Sequence, residues 1–221
     1  MMPSATETPS STSPPPDLSQ QLPKLIPRRR PKDTASEPKS GPAPRAAPLP
    51  PPPPASTLNY THPKRRILSP HDHELFLASP TYSLILSFVF TLADSVQDTP
   101  ISAISKEKES LNSTVKSILE VLDTAEDLIK ECPADDTNGS RFGNPAFRTY
   151  LTTLSQLLPS SHQTHFPALR DGALDELTTY FLSSLGSASR IDYGSGHELH
   201  FLIYLLCLYQ LSLLPLSLIH I

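Results

Sequence analysis

Residues 106–131 read KEKESLNSTVKSILEVLDTAEDLIKE, and Leu111, Val115, Ile118, Leu122, Ala125 and Ile129 recur there at spacings alternating between four and three. An α-helix turns once every 3.6 residues, so this spacing gathers the six side chains into one apolar stripe, with Lys116, Glu120 and Asp127 off it. The stretch is predicted to be a helix facing a core, ended with the help of Pro133. A coiled-coil strand is the second reading of the same stripe.

The segments on either side repeat the theme. Ser79-Pro80 pairs a capping hydroxyl with a proline whose missing N–H costs nothing in a first helical turn. Residues 82–96 behind it are apolar nearly all round, which suits a helix buried among others. Asn144-Pro145 is a second cap-and-proline entrance, opening a helix through about Leu158. A further helix is expected over 173–185, stopping near Gly186, and an apolar one from Glu198 past Leu206. No segment sustains a two-residue alternation. The reading is all-α.

Proline divides the 221-residue chain into two materials: most of its 26 prolines precede Tyr60. Residues 1–60 are expected to stay solvated and disordered, with polyproline II stretches such as 50–54, because they cannot bury a core. They serve as a spacer or as a ligand for a proline-binding module. Residues 61–209 are long enough to bury one. The formal net charge of −4 provides no general footprint for nucleic acid. Arg28, Arg29, Arg30 and Lys32 form a basic run that either solubilises the leader or acts as a nuclear-import signal, and Lys64, Arg65 and Arg66 form another. Cys132 and Cys207 lack metal-ligand spacing and are expected to be free thiols. With no apolar run at the N-terminus, a cytoplasmic location is expected, with a nuclear pool if the first basic run is read.

Two polar loops invite chemistry. Tyr193-Gly194-Ser195-Gly196-His197-Glu198 is a glycine-flanked turn feeding a helix, whose unpaired N–H groups suit phosphate or another anion, with Arg190 upstream. It reads equally as a plain helix entrance, and it is not a P-loop. Arg141-Phe142-Gly143-Asn144, with Arg148 one turn on, offers an aromatic plate beside cations, or simply an asparagine cap over a buried ring. His197-Glu198-Leu199-His200 misses the zinc-protease spacing, and His71-x-His73 diverges on a helix, so no metal site is expected.

Three stretches, in order, resemble the phosphotyrosyl phosphatase activator (PTPA) family. Residues 63–93 read PKRRILSPHDHELFLASPTYSLILSFVFTLA and resemble its opening helices. Residues 141–149, RFGNPAFRT, resemble its RFGN-x-A-[FY]-R-[TD] block, and residues 189–198, SRIDYGSGHE, resemble its S-R-I-D-Y-G-[ST]-G-H-E block. The resemblance implies an all-helical domain with a cleft, binding ATP with magnesium, contacting the catalytic subunit of type 2A protein phosphatases and promoting its active form. It also implies peptidyl-prolyl cis-trans isomerase activity on a proline-containing segment, with no nucleic acid or membrane partner. By position, Arg190, Ser195 and Gly196 would contact nucleotide. Asp192, Tyr193, Phe142 and Arg148 would line the catalytic cleft, and Arg141, Gly143, Asn144, Gly194, His197 and Glu198 would shape it or meet the partner.

The resemblance runs from about Pro63 to Tyr209, and residues 210–221 read as a hydrophobic tail foreign to it. The family's tryptophan-bearing Gly-x-Trp-Gly-Leu-Asp-Asp segment, which helps build the metal-nucleotide site, has no counterpart in a chain with no tryptophan. A truncated product is therefore expected, its apolar faces near Phe88, Leu157 and Leu205 left open. Two other readings compete: a tail anchor over 199–221, which is mostly apolar but interrupted by His200, Gln210, Pro215 and His220, and a proline-rich adaptor. Deleting residues 1–58 separates the last from an activator, since an adaptor loses its partner in a pull-down and an activator keeps it.

Overall fold

A computed structural model describes residues 47–100, 111–136 and 143–215. The chain divides into Met1–Ala43, which lies outside the described residues, and Pro44–Ile221, which holds every element below. In chain order the helices are α1 (Pro70–Leu77), α2 (Pro80–Val96), α3 (Ser113–Glu131), α4 (Ala146–His165), α5 (Asp171–Ser184) and α6 (Ser195–Gln210). Among the described residues no strand forms, and the one β-type pairing is an isolated bridge between Ser187 and Asp192. The all-α expectation holds.

Side-chain caps set the helix starts. Ser69 and Asp72 form a reciprocal capping box on α1, and the Ser79 hydroxyl accepts from the Tyr82 amide at 3.2 Å ahead of Pro80. On α3 the Asn112 carboxamide accepts from the Thr114 amide at 2.7 Å. That cap moves the helix start to Ser113, where the stripe had placed it near residue 106; residues 101–110 lie outside the described ones. The stripe is also rotated. Ile118, Val121, Ala125 and Leu128 are buried, whereas Ile129 is 56% exposed. The neighbouring helix decided which of two adjacent 3–4 registers faces inward, a choice that spacing leaves open.

Helices α3, α4, α5 and α6 pack in series, each against the next, and α2 lies on the far side of α6. Helix α6 is apolar all round because it serves two cores. Tyr204 and Leu208 face the main cluster with Leu154, Leu158, Leu177 and Phe181, while Leu206 and Tyr209 face Phe88 of α2. Phe88 is therefore buried and Leu205 half-buried, against the expected open faces; Leu157 does stand 40% exposed.

Helix α4 does not stop at Leu158. It runs through Pro159 to His165, although an interior proline costs about 3 kcal/mol. The compensation lies just beyond the proline. His162 is fully buried, with Phe166, Phe181 and Tyr204 rings around it at centroid distances of 6.3, 5.8 and 5.7 Å.

Residues beyond both assigned borders make contacts with the helices. Residues 47–60, counted with the leader on composition, lie against the helices: Leu49 packs beside Phe88 and Tyr209, and the Arg170 guanidinium donates to the Ala55 carbonyl at 3.1 Å. Leu214, counted with the foreign tail, is buried in the main core, and the Thr114 hydroxyl donates to the Leu213 carbonyl at 2.8 Å. Among the described residues no single helix is long and apolar enough to cross a membrane; the last six residues of the alternative span, 216–221, lie outside them.

Burial holds the His162 imidazole below its usual pKa, and nearby His165 pushes the same way, against a hydrogen bond with the Leu158 carbonyl. His200 is lowered as well, by burial and by His197. The unfolded chain therefore binds more protons below pH about 6.5, and the stability these neutral rings retain above that value is lost as pH falls toward their folded pKa. Urea melts are expected to show stability dropping between pH 7 and 5. In His162→Leu the slope should shrink, with the part owed to His200 remaining.

Candidate functional site

The two sequence-marked loops meet at one end of the bundle. One leads into α4; the other, residues 185–194, joins α5 to α6. Arg141 and Phe142 lie outside the described residues, but the next residue, Gly143, makes the junction. A Cβ placed on it would run into the Ile191 carbonyl and Cγ2, and would come within 2.8 Å of the Ile191 Cβ. Only a residue without a side chain allows that approach.

The second loop is shaped from within. Gly186 takes φ 132°, which favours glycine, and a Cβ there would lie 2.9 Å from the Asp192 carbonyl and 3.0 Å from the Phe147 ring. The chain then closes on itself: the Ser187 amide donates to the Asp192 carbonyl at 3.0 Å and the Ile191 amide to the Ser187 carbonyl at 2.7 Å. Ile191 sits at φ 53°, a conformation unusual for a β-branched residue and costing about 1–3 kcal/mol. It gives no sign of this in the sequence. Gly186 does, as the glycine just past a helix.

Arg148 was expected to line a cleft. Its guanidinium instead donates to the Ala188 carbonyl at 3.0 Å and the Ser189 carbonyl at 3.4 Å, so it clamps the second loop onto α4. Asn144 is likewise occupied. Its carboxamide accepts from the Ala146 amide at 3.0 Å and from the Asp135 amide at 3.2 Å, and donates to the Asp135 carbonyl at 2.7 Å. His197 fastens the start of α6 to the end of α5 through a 2.6 Å contact between Nδ1 and the Ser183 carbonyl, and Tyr193 stacks on its ring at 5.6 Å.

What remains turned to solvent is a compact set. Arg190 and Asp192 form an exposed ion pair at 2.9 Å, of little value to stability. Tyr193 is 61% exposed. Ser195 and Glu198 are exposed at the start of α6, and a Cβ on Gly194 or Gly196 would meet nothing within 4 Å. The turn thus presents bare backbone, a hydroxyl and a guanidinium at a helix N-terminus. That donor set fits an anionic group. Among the described residues no group of three or more His, Cys, Asp or Glu could hold a metal ion.

Serially packed helices carrying two mutually locked glycine loops define an all-helical domain with a loop-built polar site. The chain belongs to the family described as Phosphotyrosyl phosphate activator (PTPA) protein, whose model matches residues 63–218. The match includes residues 210–218, set apart above as a foreign tail. Among curated relatives, Serine/threonine-protein phosphatase 2A activator 2 of Neurospora crassa is 54% identical over 173 residues, 76% of this chain and 37% of its own length. The protein of the same name from Gibberella zeae is 47% identical over 211 residues, 95% of this chain and 47% of its own. A crystal structure of the PP2A phosphatase activator Ypa1 (PTPA1) superposes with a TM-score of 0.61 at 25% identity, covering 73% of this chain and 51% of that one. The chain thus spans less than half the length of these curated relatives.

Thermal melts should separate the glycines by role. Gly143→Ala is expected to cost about 1–3 kcal/mol, because backbone as well as side chain must move. Gly196→Ala, in open space in the first turn of α6, should be neutral or stabilising by about 0.4–1 kcal/mol.

Proposed function

We propose that this chain acts on type 2A serine/threonine protein phosphatases, as a regulatory partner that promotes the active conformation of the catalytic subunit. The observation that carries the reading is the family match over residues 63–218 together with both loop blocks, RFGN and SRIDYGSGHE, locked to one another at Gly143 and Ile191. The names of the relatives support it. A cytoplasmic setting, with a nuclear pool, goes with this reading.

The proposed activity is peptidyl-prolyl cis-trans isomerisation. It needs no nucleophile, because the barrier of about 18–20 kcal/mol comes from amide resonance. A surface lowers that barrier by preferring the twisted amide, through an apolar plate and a hydrogen bond to the prolyl nitrogen. Tyr193 is the plate in this scheme, and Asp192 holds Arg190 in place; Phe142, which the family resemblance adds to the cleft, lies outside the described residues. Arg148 acts as a positioning residue, since its Nε and one Nη donate to loop carbonyls. ATP with magnesium would bind at this turn, its anionic phosphates competing with Asp192 for the Arg190 guanidinium. Its phosphates would be held by Arg190, the Ser195 hydroxyl and the bare backbone at Gly196.

Asp192→Ala is expected to weaken phosphatase activation about tenfold, a loss near 1.4 kcal/mol, with helical content unchanged by circular dichroism. Equal activation by the two proteins at matched helicity would refute the role.

A further inference from the structure

Residues 47–62 approach the helices along a defined track. The five consecutive prolines 50–54 have φ held near −65° and so form polyproline II, a helix of three residues per turn. Leu49 and Pro52, one turn apart, are partly covered together with Pro53, while Pro50, Pro51 and Pro54 face solvent. Leu49 packs into the small core of Phe88, Leu206 and Tyr209, and the Tyr209 hydroxyl donates to the Pro50 carbonyl at 2.9 Å. Farther along, the Arg170 guanidinium donates to the Ala55 carbonyl at 3.1 Å. Tyr60 lies so close on Gly172 that a Cβ there would be 2.6 Å from its ring, and His62 meets Asp175 at 2.8 Å.

A polyproline II strand has no internal hydrogen bonds, so its carbonyls are all available, and its proline nitrogens donate nothing. Surfaces that read it supply aromatic or apolar walls for the rings and donors for the carbonyls. Phe88 and Tyr209 form such a wall, on which Leu49 at the head of the run is seated, and the Tyr209 hydroxyl is such a donor. The Arg170 guanidinium adds a second where the run ends, at the Ala55 carbonyl that opens the 3-10 turn Ala55–Thr57. Neither donation depends on the identity of the side chains in the strand.

We propose that α2, α5 and α6 form a docking groove for proline-rich segments in the polyproline II conformation. The chain's own residues 49–55 fill it in cis, and a partner protein bearing such a run takes it when they are displaced. The groove is separate from the loop site: Tyr209 lies fourteen residues along α6 from Ser195, about 21 Å at 1.5 Å per residue.

The test uses the full chain and a full-length variant in which prolines 50–54 become Gly-Ser-Gly-Ser-Gly, which releases the internal ligand. The probe is a fluorescent synthetic peptide of residues 47–58, followed by anisotropy. The variant is expected to bind at least about tenfold tighter than the unmodified chain, whose tethered segment competes at high effective concentration. Tyr209→Phe added to the variant should weaken binding about three- to tenfold, the loss of one hydrogen bond. A folded variant that ignores the peptide, or that binds an alanine-for-proline peptide equally well, overturns the proposal. If the variant does not fold, Tyr209→Phe in the unmodified chain decides by limited proteolysis: faster cleavage within 55–60 supports the groove, and an unchanged rate sinks it.

Discussion

Phe181 of α5 and Tyr204 of α6 meet edge to face at 5.3 Å, both sealed from solvent, and most of the architecture hangs on that contact. Paired aromatic rings bring a large apolar area and an oriented quadrupole interaction to one point. His162 adds a third ring from α4, its neighbours set nearly perpendicular at 85° and 83°. Three helices are thereby fixed in depth and rotation. The cost is visible too: the Tyr204 hydroxyl and His162 Nε2 are buried without a hydrogen-bond partner among the described residues, each a desolvation penalty of about 1–3 kcal/mol.

With α5 and α6 held, the loop between them has fixed ends and can carry strain. Ile191 stays left-handed because the Ser187–Asp192 bridge, the Arg148 clamp and the Gly143 backbone each oppose its relaxation. The outcome is an economical division of labour. Arg148, Asn144 and His197 spend their polar atoms inward on carbonyls and amides. Arg190, Asp192, Tyr193 and Ser195 keep theirs toward solvent. Residues that looked alike as candidates differ in whether a neighbour's backbone has already claimed them.

Helix α6 links the glycine loop to the proline-rich approach. Its first turn belongs to the glycine loop, and its last turn carries Tyr209, which meets the proline-rich approach of the chain. That approach also roofs a cavity of about 180 Å³, walled by Glu176, Leu177, Cys207 and Gln210 under Leu58, Asn59 and Tyr60. Burial there raises the Glu176 carboxyl and pushes the Cys207 thiol up to about 12, which holds the thiol in its protonated form at neutral pH.

Five of the six helices among the described residues, the cap at Ser79 and the approximate start after Pro145 were legible in the chain, because periodicity and capping act within a few residues; α1 and the start of α6 at Ser195, ahead of the expected Glu198, were not. Gly186 was legible as the glycine that stops a helix; the close approach was expected at Gly194 and Gly196, where a Cβ would meet nothing within 4 Å, and falls instead at Gly143 against Ile191. Which stripe of α3 turns inward, whether Pro159 ends α4, and whether Arg148 faces a ligand or a carbonyl depended on groups distant in sequence. Local pattern states what a segment can do at low cost. Only the packed neighbours decide which of those options is taken, since burial of His162 or the lock on Ile191 outweighs local preferences of a few kcal/mol.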